Sequence, residues 1–312
     1  MGRGDTAAHD LLRTLTPLAE TLKTRAIIAP IGREDLFNRC NGSNLAPIFA
    51  EQTVDMCANP HSALRTKGGS SIALGIAQLR AKSADAFITA GNTGALFAFA
   101  AAKSGLPPLP GVTRPALLAE IPTADRPMSV LDVGAQVHWS ASNLLQYAAI
   151  GKAYHKTLGN NHPTIGLLNI GSERDKGPQE LQKAFNLLQN EPHFLGNIEG
   201  KDAFSGNIDI LITDGFTGNI FLKTSEGIAA HLLKLLGKNS SDAMGAELST
   251  LSSKINPDSY PGAILAGLNG IVIKCHGDSS PESIISSIHR AITLHEQHFI
   301  TNLKSELDKI TE

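Results

Sequence analysis

The sequence predicts an α/β protein with a mostly parallel sheet, on three observations. First, Ile208, Ile210, Leu211 and Ile212 form the kind of branched apolar run that is buried in a parallel sheet. The run stops at Asp214-Gly215, turns through Phe216-Thr217-Gly218-Asn219 and enters a helical pattern that reaches Gly227. Second, the chain makes nearly the same move between Ala84 and Ala95, where Gly91-Asn92-Thr93-Gly94 mirrors Gly215-Phe216-Thr217-Gly218. Third, strand-like runs enter polar loops at 130–134, 165–171 and 271–277, each followed by a helical pattern. In a parallel sheet these five loops share one edge, the edge at which ligands bind.

In chain order, Met1-Gly2-Arg3-Gly4-Asp5 opens the sequence as a loop with no strand before it. Leu11, Leu12, Leu15, Leu18 and Leu22 share one face of a helix expected over 7–22, and 26–31 reads as the first strand. Asn59-Pro60 starts a helix carrying Arg65 and Lys67, with Ser70 and Ser71 at the next helix start; these are ordinary caps, or together a phosphate-holding group. The segment after Gly94, with Leu96, Phe97 and Phe99, is apolar on every side and should be buried. A Gly/Pro-rich connection over 103–115 leads to a strand at 116–121. Helices are expected from Ser140 to about Lys156 and from Pro178 to Gln189. The Ser-, Asn- and Gly-rich segment 238–261, with Leu248, Leu251 and Ile255 at helical spacing, reads as a short helical excursion from a single domain spanning 1–312. Pro281 begins a helix to about His298, and the tail from Thr301 reads as a charged helix end.

Composition narrows the function. The 27 Lys+Arg against 29 Asp+Glu leave no basic excess, which argues against a nucleic-acid partner. Cys40, Cys57 and Cys275 are widely spaced with no CxxC, as in a reduced intracellular protein. No apolar run approaches the ~20 residues of a membrane span and no signal peptide opens the chain, so a cytoplasmic protein is expected. HExxH, GxSxG and the P-loop pattern are absent, and neither a metal nor a cofactor is expected.

Candidate site residues come from the loops. A glycine turn between strand and helix leaves backbone N–H groups and the positive end of a helix dipole for an anion. Gly91, Asn92, Thr93 and Gly94, and Asp214, Gly215, Thr217 and Gly218, are therefore candidate ligands of a phosphate or acyl thioester, although such turns also serve chain reversal alone. The charged loop Ser172-Glu173-Arg174-Asp175-Lys176-Gly177 offers Lys176 or Glu173 for catalysis, with a solvated loop as the alternative. Glu199 follows the next strand, as ligand or brace. His276 can partner an anion or be hydrogen-bonded structure.

Taken together, Ala63-Leu64-Arg65 with Lys67, Ala90-Gly91-Asn92-Thr93-Gly94-Ala95, Arg114-Pro115-Ala116-Leu117, Leu131-Asp132-Val133-Gly134-Ala135, Leu168-Asn169-Ile170-Gly171, Gly196-Asn197-Ile198-Glu199-Gly200 and Asp214-Gly215-Phe216-Thr217-Gly218-Asn219 resemble the bacterial phosphate acyltransferase (PlsX) family. The motifs follow the family order over nearly the whole chain. This resemblance implies a three-layer α/β/α sandwich with a mostly parallel sheet, like the isopropylmalate dehydrogenases and phosphotransacetylases, assembled as a homodimer. It implies reversible transfer of a long-chain fatty acyl group from acyl carrier protein to inorganic phosphate, at the first steps of phospholipid synthesis, with Lys176 and Asn219 as the important lysine and asparagine. A weak peripheral association with the inner face of the membrane, through a glycerol-3-phosphate acyltransferase, comes with it; Lys234 and Lys238 are candidates for the carrier-protein patch. Family members open with a strand running into a Met-Gly-Gly-Asp loop, and an upstream start is the expected reason that this chain lacks it. Gln136 and His138 stand where Asn and Asp are usual, and the 238–261 segment is shorter and more polar than the family's hydrophobic hairpin.

This chemistry suits the residues. A thioester carbonyl is electrophilic enough for phosphate to attack directly, so the site must hold an anion beside it and stabilise the developing oxyanion. Two alternatives remain open: a coenzyme A-dependent phosphotransacetylase for short acyl groups, and a non-catalytic acyl- or phosphate-binding homologue. A decarboxylating dehydrogenase would need an aspartate cluster for a divalent metal, and none has convincing spacing.

Overall fold

The computed structural model describes residues 4–37, 45–123, 125–239 and 260–310. Met1 to Arg3, Cys40 and most of the expected excursion, including Leu248, Leu251 and Ile255, lie outside them. Helix α1 (Gly4–Leu22) buries Leu12, Leu15 and Leu22, as its leucine stripe requires. The expected strand at 26–31 is instead a single parallel bridge from Ile28 to Leu45, followed by two-residue strands β1 (Ile31–Gly32) and β2 (Ile48–Phe49). Pro30 is the physical reason, since it has no N–H to give a ladder.

Helix α2 (Pro60–Thr66) has proline in its first turn and Asn59 as its cap, and α3 (Ser71–Arg80) is capped by Ser70. Then follow β3 (Ala86–Thr89), α4 (Thr93–Ala101), β4 (Ala116–Ile121), β5 (Met128–Leu131), α5 (Ala141–Thr157), β6 (Ile165–Asn169), α6 (Gln179–Leu188) and β7 (Phe194–Glu199). The chain continues through β8 (Ile210–Ile212), α7 (Gly215–Asn239), β9 (Ala263–Ala266), β10 (Ile271–Lys274), α8 (Pro281–Glu296) and α9 (Phe299–Asp308).

These elements divide into two compact units, 1–107 with 268–295 and 108–267 with 296–312. In the first, β3 pairs in parallel with β10, and the α1 leucines share a core cluster with Ile88 of β3 and with Ile284, Ile288 and Ile292 of α8. In the second, the strands lie in the order β9-β4-β5-β8-β6-β7. Strands β5, β8, β6 and β7 run parallel, whereas β4 is antiparallel to both neighbours. Only residues 122–127 join β4 to β5, and a parallel connection needs a dozen or more. The fold is α/β with a mostly parallel sheet, reversed at β4.

Helix α5 covers this sheet with Leu144, Tyr147, Ala148 and Ile150 buried. Gly151 lets it approach, because a Cβ there would lie 2.6 Å from Ile210 Cγ2. The tail from Thr301 is more than a charged helix end. His298 takes a left-handed conformation and starts α9 as a separate helix, whose Phe299, Leu303 and Leu307 are buried and which packs on α5. The ring of Phe299 meets Tyr154 edge-on, and Asn302 Nδ2 donates to Thr157 Oγ1 at 3.0 Å.

Candidate active site

Four successive parallel strands of the second unit end at one edge, so the loops after β5, β8, β6 and β7 form a row. Adjacent strands lie ~5 Å apart, which puts neighbouring loops within side-chain reach of each other. This row holds Asp132, Asp214 to Asn219, Lys176 and Glu199.

Asp132 organises the loop after β5. Its carboxyl group is fully buried and accepts from four backbone N–H groups: Leu117, Gly134 and Ala135 on Oδ1 at 3.0, 3.1 and 2.8 Å, and Gln136 on Oδ2 at 2.9 Å. Burial pushes its pKa up to about 6, against the pull of those four bonds. The consequence for stability has a definite sign. The native state takes up the proton at higher pH than the unfolded chain, so stability rises as pH falls from about 6 to about 4, and the ionised group costs on the order of 3 kcal/mol above that window. The stability of wild type minus that of Asp132→Asn, from urea midpoints between pH 7 and pH 4, is expected to grow toward acid. A flat difference would show that the four bonds cancel burial, and one that shrinks toward acid that they outweigh it.

The start of α7 packs onto this loop. A Cβ at Gly215 would lie 2.3 Å from the Gln136 carbonyl oxygen, and one at Gly218 would lie 1.9 Å from that of Asp132. Asn219, exposed on the next position, sits over Gly134: a Cβ there would be 3.4 Å from Asn219 Cγ. Gly134 has φ +129°, which a side chain would strain. The expectation that this turn offers free N–H groups to an anion needs correction. Asp214 caps its own helix, with Oδ1 accepting from Phe216 N and Thr217 N at 3.0 Å each and Oδ2 from Thr217 Oγ1 at 2.7 Å. Its carboxyl group occupies the place an anion would take.

Lys176 lies on the exposed loop after β6, its side chain 45% accessible and its Nζ 3.7 Å from Glu173 Oε1. Glu199 ends β7 opposite Asn169 in the ladder, and its Oε2 accepts from Lys201 Nζ at 2.7 Å. That bond is the leading cause that raises the Lys201 pKa.

The remaining candidates belong to the first unit. Gly91 to Gly94 and His276 leave one edge of the β3–β10 pair, which Cys275 N extends by donating to Thr89 O at 2.8 Å. Asn92 is the cap of α4, not an open ligand: Oδ1 accepts from Ala95 N at 2.9 Å, and Nδ2 donates to the carbonyls of Asp55, Met56 and Ala58. Gly94 is a packing glycine, where a Cβ would come within 2.6 Å of Pro60 Cγ. Of the N–H groups around this turn, that of Ala95 is taken by the cap and that of Gly91 donates to Thr89 Oγ1 at 3.0 Å. The sequence alone assigned no role to Asp132, Asn169 or Asn197; for Asp132 and Asn169, a polar residue closing an otherwise apolar strand was the available signal.

Comparison with known proteins fixes the family. The family described as "Fatty acid synthesis protein" matches residues 28–302. A phosphate acyltransferase of Chlamydia felis is 40% identical over 279 residues, covering 88% of this chain and 85% of the relative. One from Chlamydia pneumoniae is 42% identical over 263 residues, 83% and 79% of the two chains. The chain belongs to the phosphate acyltransferase family. As a fold, this acyltransferase is similar to a phosphotransacetylase from Streptococcus pyogenes, with a TM-score of 0.58 at 14% identity over 95% of this chain and 92% of that one. The acyltransferase is an enzyme of lipid synthesis, so the reading as a non-catalytic homologue is set aside. Among its described residues, no helix is long and apolar enough to cross a membrane.

Proposed function

We propose that this acyltransferase moves a long-chain fatty acyl group from the thioester of acyl carrier protein to inorganic phosphate, releasing acyl phosphate. The observation that carries this reading is the row of loops on one sheet edge, where an ammonium (Lys176) and an amide (Asn219) leave neighbouring strands β6 and β8 beside the loop shaped by Asp132. A phosphate oxygen attacks the thioester carbonyl carbon, and the carbonyl oxygen takes the negative charge. As the carbonyl re-forms, the C–S bond breaks and the pantetheine thiolate leaves, to be protonated by solvent, while the acyl–oxygen bond to phosphate stays. Lys176 offsets the charge of the phosphate, and Asn219 Nδ2 donates to the oxyanion. Side chains hold the phosphate in this reading, because the capped turns have fewer backbone donors to give.

Assembly as a homodimer is part of the same proposal. It is supported by the apolar surface that α7 leaves exposed at Ile228, Leu232 and Leu235. The test of substrate is direct. The purified protein is given labelled phosphate with palmitoyl carrier protein, palmitoyl coenzyme A or acetyl coenzyme A. Acyl phosphate is expected chiefly from the carrier-protein thioester, by at least ~10-fold, which corresponds to ~1.4 kcal/mol of discrimination. Faster turnover of acetyl coenzyme A would favour a phosphotransacetylase instead.

A further inference from the structure

The loop carrying Glu173 and Lys176 is held from below by two buried amides on adjacent strands. Asn169, at the end of β6 and 9% exposed, donates from Nδ2 to the Lys176 carbonyl at 3.1 Å and accepts on Oδ1 from Ile170 N at 2.8 Å. Asn197 of β7, 5% exposed, donates from Nδ2 to the Glu173 carbonyl at 2.7 Å, while its Oδ1 is buried with no hydrogen-bond partner. Gly177, at φ +81°, lets the chain close over Asn169, since a Cβ there would lie 2.5 Å from Asn169 Oδ1. The two carbonyls gripped are those of the two residues whose side chains pair across 3.7 Å.

A buried asparagine that holds a loop is often only structural. Here, however, residues 172–176 are all exposed, so fixing them contributes little to the core. Two desolvated amides, one with an unmatched oxygen, are costly to place under a segment that adds so little burial. Main-chain anchoring does have a use if the Lys176 ammonium must stand in one place, because an exposed ion pair alone holds a long side chain weakly.

We propose that Asn169 and Asn197 are positioning residues for acyl transfer, fixing the Lys176 ammonium through the main chain of its loop. This rests on the role given to Lys176 above. The test is a double-mutant cycle on kcat and KM with carrier-protein thioester and phosphate, with thermal unfolding measured for each variant. Asn169→Ala and Asn197→Ala are each expected to lower kcat ~10- to 100-fold, as an ångström of misplacement does, with KM for the thioester within about twofold. In the Lys176→Ala background the same substitutions are expected to change kcat less than about twofold. Equal losses in both backgrounds, or losses that follow the melting temperature, would overturn the proposal. Asn169→Leu keeps the same branched side-chain skeleton in a larger volume and serves if the alanine variant unfolds. Lys176→Ala read alone separates the two ideas: wild-type turnover there removes the role of Lys176 and the positioning proposal with it, whereas a large loss with an additive cycle overturns the positioning alone.

Discussion

Replacing Lys176 with alanine is expected to cut acyl phosphate formation about 100- to 1000-fold, and Asn219→Ala to cost a similar factor, equivalent to roughly 3–4 kcal/mol of lost transition-state stabilisation. Neither change should move stability by more than about 0.5 kcal/mol. Both residues are exposed, and the 3.7 Å pair of Lys176 with Glu173 is of the surface kind that contributes little to folding. Activity lost from a fully folded protein is the signature of a group that acts on developing charge. The check is a single-turnover assay beside a urea titration for each variant. Wild-type rates in both would remove the pair from the mechanism.

Gly218→Ala should produce the largest loss of stability, about 3 kcal/mol or more. The added methyl would stand 1.9 Å from the carbonyl oxygen of Asp132 and 2.7 Å from Thr213 Cγ2, and the first of these is main chain that no rotamer change can move aside. Relief requires α7 to lift from the 132–136 loop, carrying Asn219 away from Gly134. Loss of turnover should therefore accompany the fall in the urea midpoint. A midpoint unchanged within error would mean that helix and loop already stand apart in solution.

Much of the fold could be read from the order of residues, because branched apolar runs followed by glycine turns permit few alternatives. Strands β5, β6, β8 and β10 fall within or beside the expected segments, and the Asn59 and Ser70 caps act as their types suggest. The reversed β4 was harder to see: its own residues look the same in either direction, and only the short 122–127 connection decides the matter. At the site, residue type was legible and engagement was not. Asn92 and Asp214 attract notice as polar groups beside glycine, yet those same groups close their own helix ends. Asn169 closes an apolar strand and Asn197 lies inside one, but neither position names its partner, since Lys176 and Glu173 are brought to them by a loop and by the β6–β7 pairing.

The reversed strand also gives the second unit two functionally different ends. The 122–127 hairpin enters β5 at its amino end, opposite the edge where Lys176 and Asn219 emerge, and Thr123 Oγ1 braces it by donating to the Arg126 carbonyl at 2.6 Å. A fluorophore, an affinity handle or a covalent tether placed there would lie at the opposite end of these strands from the rim proposed to react. An immobilised form would then be anchored away from the loops that the proposed reaction uses.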